Sequence, residues 1–244
     1  MDDRFSQIET AWSQVRRAHD QAATIAGQAQ QELLDRYGGA VRRYALAALR
    51  NEDAANEVGQ EFALKFVRGD FAGADPTKGR FRSFVKTVVY RLIVDHQRRN
   101  KKLGREVNLQ TNLPDVPETI YHSEDELFLN SWRDELLASC WGSLQQEEQT
   151  TGKLYYSVLR HRVDHPELRS PQLAEQLSKS LGKPVTAGNL RVLLHRARDR
   201  FADLLLDEVL NSLEDGSIGS VEEELIELDL LEYCRPALEK RRES

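Results

Sequence analysis

A stretch of helical periodicity between Asp75 and Arg105 constrains the fold of this chain most strongly. It reads DPTKGRFRSFVKTVVYRLIVDHQRRNKKLGR. Its apolar residues recur every three or four positions, as on one face of an α-helix; they are Phe81, Phe84, Val85, Val88, Val89, Leu92 and Ile93. Lys and Arg become frequent toward its carboxyl end. The pattern predicts a packed helix with a cationic end, which suits either a solvated surface or a surface that binds single-stranded nucleic acid.

The composition favours a soluble, all-α protein. The chain has 244 residues, 30% of them charged, and only 14 Gly and 7 Pro to interrupt helices, and this length suits two small helical domains. No apolar run is long enough to span a bilayer, and the first residues, MDDRFSQIET, are acidic and polar, unlike a signal peptide. We therefore expect a cytoplasmic protein.

The residue types that support catalysis or metal binding are scattered. Cys140 and Cys234 lie far apart without a CxxC motif or a Cys/His cluster, so we expect two buried thiols rather than a disulfide or a zinc site. The chain contains no Walker-type loop and no HExxH motif. We predict no catalytic residue, no metal site and no cofactor.

The charge is unevenly distributed. The net charge of −6 and the pI near 5.6 disfavour binding to nucleic acid. However, no Lys or Arg lies between Arg200 and Arg235, and acidic residues concentrate in that interval. An acidic carboxyl-terminal segment, predicted to be an amphipathic helix, therefore follows a more basic body.

The amino-terminal half is predicted to contain helices over residues 8–17 and 21–49, with Gly38-Gly39 as a candidate break in the second. The next segment, NEDAANEVGQEFALKFVRGDF, carries acids at four-residue spacing at Asp53, Glu57 and Glu61. Such a stripe is typical of a solvated helix face, and equally of a docking surface.

The carboxyl-terminal half contains the signals of a helix-turn-helix. Helices are predicted from Ser123 and over residues 151–163. A further helix starts at Ser170-Pro171 and stops at Gly182, and Thr186 can cap the long helix that follows. Cationic residues mark the outer face of that long helix; they are Arg191, His195, Arg196, Arg198 and Arg200. Any helical hairpin could show this pattern, so DNA binding is one interpretation of two.

Taken together, these segments resemble bacterial RNA polymerase sigma factors of the extracytoplasmic-function type, in a planctomycete-like subgroup. The likeness covers most of the chain. The residues that carry it are Thr10-Ala11-Trp12-Ser13, Gln60-Glu61-Phe62, Asp75-Pro76 with GRFRSF at residues 79–84, and RVLLHRARDRF at residues 191–201.

The resemblance implies a domain order. Residues 1–105 would form a domain that binds the polymerase core and melts the promoter, and residues 106–122 would form a linker. Residues 123–210 would form a helix-turn-helix domain, and residues 211–244 an acidic extension. The implied partners are core RNA polymerase, through its clamp coiled coil and flap, promoter DNA, and a regulatory anti-sigma factor or protein kinase.

The resemblance also implies three sets of binding residues. The set that docks on the polymerase clamp is Asp53, Glu57, Gln60, Glu61 and Phe62. The set that captures the melted promoter strand is Phe81, Arg82, Phe84, Lys86, Arg91, Asp95, Arg98, Arg99, Lys101 and Lys102. The set that reads the upstream promoter element is Thr186, Asn189, Arg191, His195, Arg196 and Arg198.

Three positions depart from the family pattern. Asn56 stands where many relatives carry an acid, Lys102-Leu103-Gly104-Arg105 replaces a lysine-arginine-glycine-glycine run, and Val192-Leu193 stands where polar base readers are expected. The resemblance implies a transcription initiation factor without enzymatic activity. Two alternatives stay open: a stand-alone helix-turn-helix regulator, and a helical adaptor without affinity for DNA. An acidic helix beside GRFRSF favours the initiation factor, because a simple repressor would need neither.

Overall fold

The computed structural model describes residues 23–71, 80–102, 121–213 and 217–243. These residues form α-helices and no β-strand, which confirms the predicted all-α class. The helices are α1 (Ala23–Leu49), α2 (Glu52–Val67), α3 (Phe81–Lys102), α4 (Tyr121–Thr151), α5 (Tyr155–Asp164), α6 (Ser170–Leu181), α7 (Ala187–Ser212), α8 (Ile218–Glu227) and α9 (Leu231–Glu243). In this part of the chain, no helix combines the length and apolar character needed to cross a membrane.

The chain divides into two compact units. The first comprises Met1–Glu135 and Val209–Asp229, and the second comprises Leu136–Glu208 and Leu230–Ser244. The predicted helix over residues 8–17 and nearly all of the predicted linker lie outside the described residues, as do Thr10–Ser13 and Asp75-Pro76. The predicted domain boundaries therefore stay predictions.

Helices α1, α2 and α3 pack against one another in the first unit. Each presents the apolar stripe that its sequence predicts, because residues three and four positions apart share one face of a helix. The buried side chains from these helices include Leu33, Tyr37, Val41, Tyr44, Val58, Phe62, Phe66, Phe81, Val85, Val89, Leu92 and Ile93. Helix α2 begins at a side-chain cap, since the amide of Ala54 donates to Oδ1 of Asn51 at 2.9 Å.

An aromatic cluster joins the start of α3 to this core. The ring of Tyr37 stacks on Trp132 at a centroid distance of 4.9 Å and lies 4.9 Å from the ring of Phe81. Phe81 and Trp132 are 3% and 1% exposed. Large rings in such arrangements contribute both apolar burial and favourable ring-edge geometry, so Phe81 is fixed as a core residue in this structure.

Helix α1 runs without interruption through Gly38-Gly39, so the predicted break is wrong. A glycine inside a helix costs only about 1 kcal/mol relative to alanine, and the burial of Tyr37 and Val41 beside the pair outweighs that cost. The two glycines differ in their surroundings. A Cβ on Gly38 would meet nothing within 4 Å, whereas a Cβ on Gly39 would lie 2.1 Å from Oε2 of Glu135.

Gly38→Ala is expected to raise the free energy of unfolding by about 0.5 to 1 kcal/mol, because alanine restricts the unfolded chain and fits the helix. Gly39→Ala is expected to have a free energy of unfolding about 1 kcal/mol lower than that of Gly38→Ala. The new methyl group displaces the carboxylate of Glu135 from Arg43, with which Glu135 forms an ion pair at 2.9 Å. Urea unfolding of the two variants measures the difference. With Glu135→Ala in both, the difference should vanish; its persistence would contradict this explanation.

In the second unit, α6 and α7 are joined by a short turn and share a core with α5. The buried members of that core are Val158, Leu173, Ala174, Leu177, Leu190 and Leu194. Gly182 ends α6 in the left-handed conformation, with φ of 62°, as its sequence predicts. Thr186 caps α7 by accepting from the amide of Asn189 at 3.2 Å. Ser170 is already helical rather than the cap, and Gln172 Oε1 accepts from the amide of Arg169 at 3.1 Å instead.

The two cysteines are free and fully buried in the second unit, as predicted. Burial raises the pKa of both thiols, that of Cys234 to about 12, so neither carries a reactive thiolate at neutral pH. The predicted single tail helix is instead two helices, because Asp229 adopts φ of 55° between α8 and α9. Helix α8 belongs to the first unit and α9 to the second.

Candidate nucleic-acid interface

The exposed face of α2 is acidic at one end and apolar at the other. Asp53, Glu57 and Gln60 are exposed, as are Leu64 and Val67, which have exposed fractions of 48% and 53%. All five share one side of the helix, because they follow one another at intervals of three or four residues. The sequence prediction included the three polar residues and missed Leu64 and Val67, although the same spacing continues through them. We call these five residues the α2 face.

The other two predicted docking residues lie off the α2 face. Phe62 is 5% exposed and packs toward the core, with its ring 5.6 Å from that of Phe71. Glu61 is turned toward α3, where its Oε2 lies 2.6 Å from Nη2 of Arg99. Phe62 therefore fixes α2 in place, and Glu61 is held by a residue of the predicted melting helix. Asn56 is exposed and accepts a hydrogen bond from Nε of Arg42 at 2.8 Å.

The outer side of α3 carries cations along its second half. Arg91, Asp95 and Arg98 are exposed on one face, and Lys101 is exposed beside them. Among the described residues, Arg91 and Arg98 form no ion pair, whereas Arg99 pairs with Glu61. A hydrogen bond from Arg99 to Glu61, opposed by burial, raises the pKa of the Arg99 guanidinium. The side chain of Lys102 lies outside the described residues.

The first turn of α3 is more buried than the sequence predicts. Phe81 lies in the core, and the half-buried ring of Phe84 contacts the ring of Phe71 edge-on at 5.5 Å. Lys86 is also half-buried. Of the two predicted stacking rings, Phe84 is the one that keeps exposed surface, because the period of α3 turns Phe81 inward.

Arg82, another predicted melting residue, is 7% exposed and bound to acids of α8. Its guanidinium contacts Glu224 at 2.8 Å and also contacts Glu227. Burial alone would lower the pKa of Arg82, but hydrogen bonds and charge from the two glutamates outweigh burial and raise it. Burial likewise opposes ionisation of Glu227, yet Arg82 and Arg80 hold the pKa of that carboxyl below its usual value.

Of this cluster, the sequence prediction assigned only Arg82 to a site and missed Arg80, Glu224 and Glu227. Glu224 is 1% exposed, because it lies one turn from Val221 and Leu228 on the apolar side of α8. An acid at an apolar register position was the signal that could have indicated a buried ion pair. The spacing of residues could not predict its partner, Arg82, which lies 142 residues away in the chain.

The outer face of α7 in the second unit is exposed where the sequence predicts DNA contacts. The exposed predicted residues are Thr186, Asn189, Arg191, His195, Arg196 and Arg198. Leu190, Leu194 and Ala197 face the opposite, buried side. Val192 is 49% exposed in the middle of the outer face, and Nδ1 of His195 lies 3.3 Å from Oδ1 of Asp199. The face can present both cationic and apolar groups to a groove.

The residues that the structure describes contain no cluster of three or more His, Cys, Asp or Glu arranged to hold a metal ion. The candidate site comprises three exposed surfaces: the α2 face, the cations of α3 and the outer face of α7.

Comparison with known proteins gives one match. Residues 33–103 match the family model described as sigma-70 region 2, which spans most of α1, all of α2 and α3, and less than a third of the chain. No curated protein and no solved structure matches the chain significantly. The matched segment contains both the α2 face and the cations of α3. This match supports a sigma-70 family sigma factor, and with it a role in transcription initiation.

Proposed function

We propose that this protein is a sigma factor of the extracytoplasmic-function type, in the planctomycete-like subgroup, that binds core RNA polymerase in the cytoplasm. It directs the polymerase to promoters and opens the DNA strands, without catalytic activity of its own. One observation carries the proposal: within the residues that match sigma-70 region 2, the exposed α2 face and the exposed cations of α3 lie on adjacent, directly packed helices.

The α2 face has the chemistry of a protein-docking surface. Leu64 and Val67 provide apolar area that a partner can cover, and Asp53, Glu57 and Gln60 provide polar groups along the same helix. Specific interfaces combine apolar area with charged groups, and the charges speed association and exclude wrong partners. We assign this face to the clamp coiled coil of the polymerase, and its acids require a basic partner surface.

The outer side of α3 has the chemistry of a nucleic-acid surface. Arg91, Arg98 and Lys101 can each neutralise a phosphate and release counterions, and Phe84 offers partly exposed ring surface for a base. We assign these residues to capture of the melted promoter strand. Asp95, on the same face, would exclude phosphate from its own position and so favour contact with a base.

The outer face of α7 is assigned to the upstream promoter element. A helix presented by a short turn after a packed partner helix is the geometry with which helix-turn-helix proteins enter the major groove. Arg191, Arg196 and Arg198 can contact guanines or phosphates, and the exposed Val192 can contact a thymine methyl group. The polymerase flap, an anti-sigma protein and a protein kinase are further proposed partners.

Run-off transcription tests the proposed function. Core RNA polymerase is mixed with the full chain and a pool of genomic DNA fragments, and transcripts are sequenced. We expect discrete transcripts that require both the chain and the core enzyme. Specific DNA binding without any core-dependent transcript would instead support a stand-alone helix-turn-helix regulator, and no DNA binding at all would support a helical adaptor.

A further inference from the structure

Arg80, just before α3, is held by three acids of α8 within the first unit. Its Nη2 lies 2.9 Å from Oε2 of Glu223. Its Nη1 lies 2.9 Å from Oε2 of Glu224 and 2.7 Å from Oε1 of Glu227. The Arg80 side chain is 25% exposed, so solvent reaches one side of this contact.

Arg82, two residues further along the chain, is bound more deeply by two of the same acids. Its Nε and Nη2 contact the two oxygens of Glu224 at 2.8 and 3.0 Å, and Nη2 also contacts Glu227. The paired contacts form the bidentate fork with which a guanidinium binds either a carboxylate or a phosphate. The Arg82 and Glu224 side chains are only 8% and 1% exposed.

The composition of this cluster is more specific than stability requires. Two arginines at the start of a helix of the matched sigma-70 region 2 are neutralised by acids that lie more than 140 residues later in the chain. Replacing buried ion pairs by apolar residues often leaves stability unchanged or higher, so a charged cluster at this depth points to a role beyond stability. Helix α8 is also short, at 10 residues.

We propose that α8 is an intramolecular mimic of nucleic acid: its Glu223, Glu224 and Glu227 occupy Arg80 and Arg82, which bind phosphates of DNA when α8 leaves. The proposal rests on the proposed function, because it takes α3 and its first turn as a DNA-binding surface. It gives the acidic carboxyl-terminal segment a specific role. The chain in this structure is the masked state, and displacement of α8 frees Arg80, which lies on the same side of α3 as Arg91 and Arg98, and uncovers Arg82 on the inner side.

Substitution within α8 is a sharper test than removal of the extension. Deletion of the extension would also remove α9, whose Cys234 and Leu238 are buried in the second unit. The side chains of Glu223 and Glu227 are 70% and 47% exposed, so glutamine can replace both while Glu224 still neutralises Arg82. The test variant is therefore full-length Glu223→Gln with Glu227→Gln.

The probe is a fluorescein-labelled 20-nucleotide single strand of mixed sequence, titrated with the full chain at several salt concentrations without polymerase. The double variant is expected to bind about five- to tenfold more tightly than wild type at low salt. The slope of log K against log salt is expected to steepen by about 0.7, the value for one added phosphate contact on single-stranded DNA. Adding Arg80→Gln to the variant is expected to remove the gain.

The matched control is Glu239→Gln with Glu243→Gln, which removes the same charge from exposed positions of α9. It is expected to change affinity by less than twofold and to leave the salt slope unchanged. An equal gain in the control would overturn the proposal, because net charge alone would then explain it. A gain that survives Arg80→Gln would overturn it as well.

The DNA-affinity test of masking and the run-off transcription test of the proposed function can fail independently of each other. Unchanged DNA affinity in Glu223→Gln with Glu227→Gln, together with core-dependent run-off transcription by wild type, overturns the masking role and leaves the sigma-factor function intact. A gain in affinity that depends on Arg80, without transcription by either protein, supports masking and contradicts the sigma-factor function. If the double variant melts at a lower temperature, Glu223→Gln alone tests the same contact, since Glu223 is the most exposed of the three acids.

Discussion

Reversing two charges on α3, Arg91→Glu with Arg98→Glu, is expected to abolish promoter opening and to leave polymerase binding unchanged. Both side chains are exposed on one face of the helix, and neither forms an ion pair among the described residues. Each reversal replaces a phosphate contact by repulsion from the DNA backbone. We expect open complexes to fall about a hundredfold, counting roughly tenfold for each like-charge contact.

Substitution of Arg99 would not distinguish a defect in promoter opening from a defect in polymerase docking. Its guanidinium lies 2.6 Å from Glu61 of α2, so Arg99→Glu would place two carboxylates together and disturb the helix that carries the α2 face. A defect in that variant would report on docking and opening at once. Arg91 and Arg98 separate the two processes.

Permanganate footprinting of unpaired thymines measures opening, and co-purification with core polymerase measures docking. Arg91→Lys with Arg98→Lys is the matched control, because it keeps both charges on long side chains and should retain most of the opening activity. Normal thymine reactivity with the glutamate variant would remove α3 from the proposed melting role. Circular dichroism should show the same helix content in all three proteins.

The second large effect is expected on the α2 face. Asp53→Arg with Glu57→Arg should weaken association with core polymerase by at least about tenfold, because like charges brought together in an interface cost more than 1 kcal/mol. The Glu57 side chain is 68% exposed and its Oε2 lies 3.4 Å from Nδ1 of the buried His96. Reversal at this position therefore changes the exposed surface and also removes the contact with His96, so circular dichroism must show unchanged helix content in the variant.

Glu52→Arg provides the control for this experiment. Glu52 is exposed in the same first turn of α2 as Asp53, so both reversals disturb the amino-terminal end of the helix dipole equally. Glu52 lies about a quarter turn away from the α2 face and should leave polymerase affinity within about twofold of wild type. Fluorescence anisotropy of labelled chain against core enzyme gives both affinities. Because Glu52→Arg reverses one charge and the test variant reverses two, a loss of binding free energy half as large in the control would indicate a general charge effect rather than a docking face.

Most of the helices were predictable because the signals that form them are local. The spacing of Leu173 and Leu177, the left-handed stop at Gly182 and the cap at Thr186 all act within a few residues, and each is found as predicted. The same holds for the buried stripe of α3. Local signals failed at Gly38-Gly39, where packing of the surrounding helix outweighs the weak preference of glycine against helix.

The sequence predicted the chemical character of the candidate surfaces better than it predicted which residues form them. Periodicity indicates that α2 has an acidic side, but it cannot say how far the exposed side extends. Leu64 and Val67 were therefore missed, although they continue the stripe. Phe62 was placed on the docking surface through a short motif, whereas its register on α2 buries it.

The sequence by itself determined an all-α chain, the positions of most helices, the two buried thiols and the order of acidic and basic segments. Only the tertiary structure decided which charges meet. Arg82 pairs with Glu224 across 142 residues, and Arg99 pairs with Glu61 across 38. The physical reason is that helix formation depends on neighbours within one turn, whereas an ion pair depends on which helix faces pack together, and that depends on the shape of the whole core.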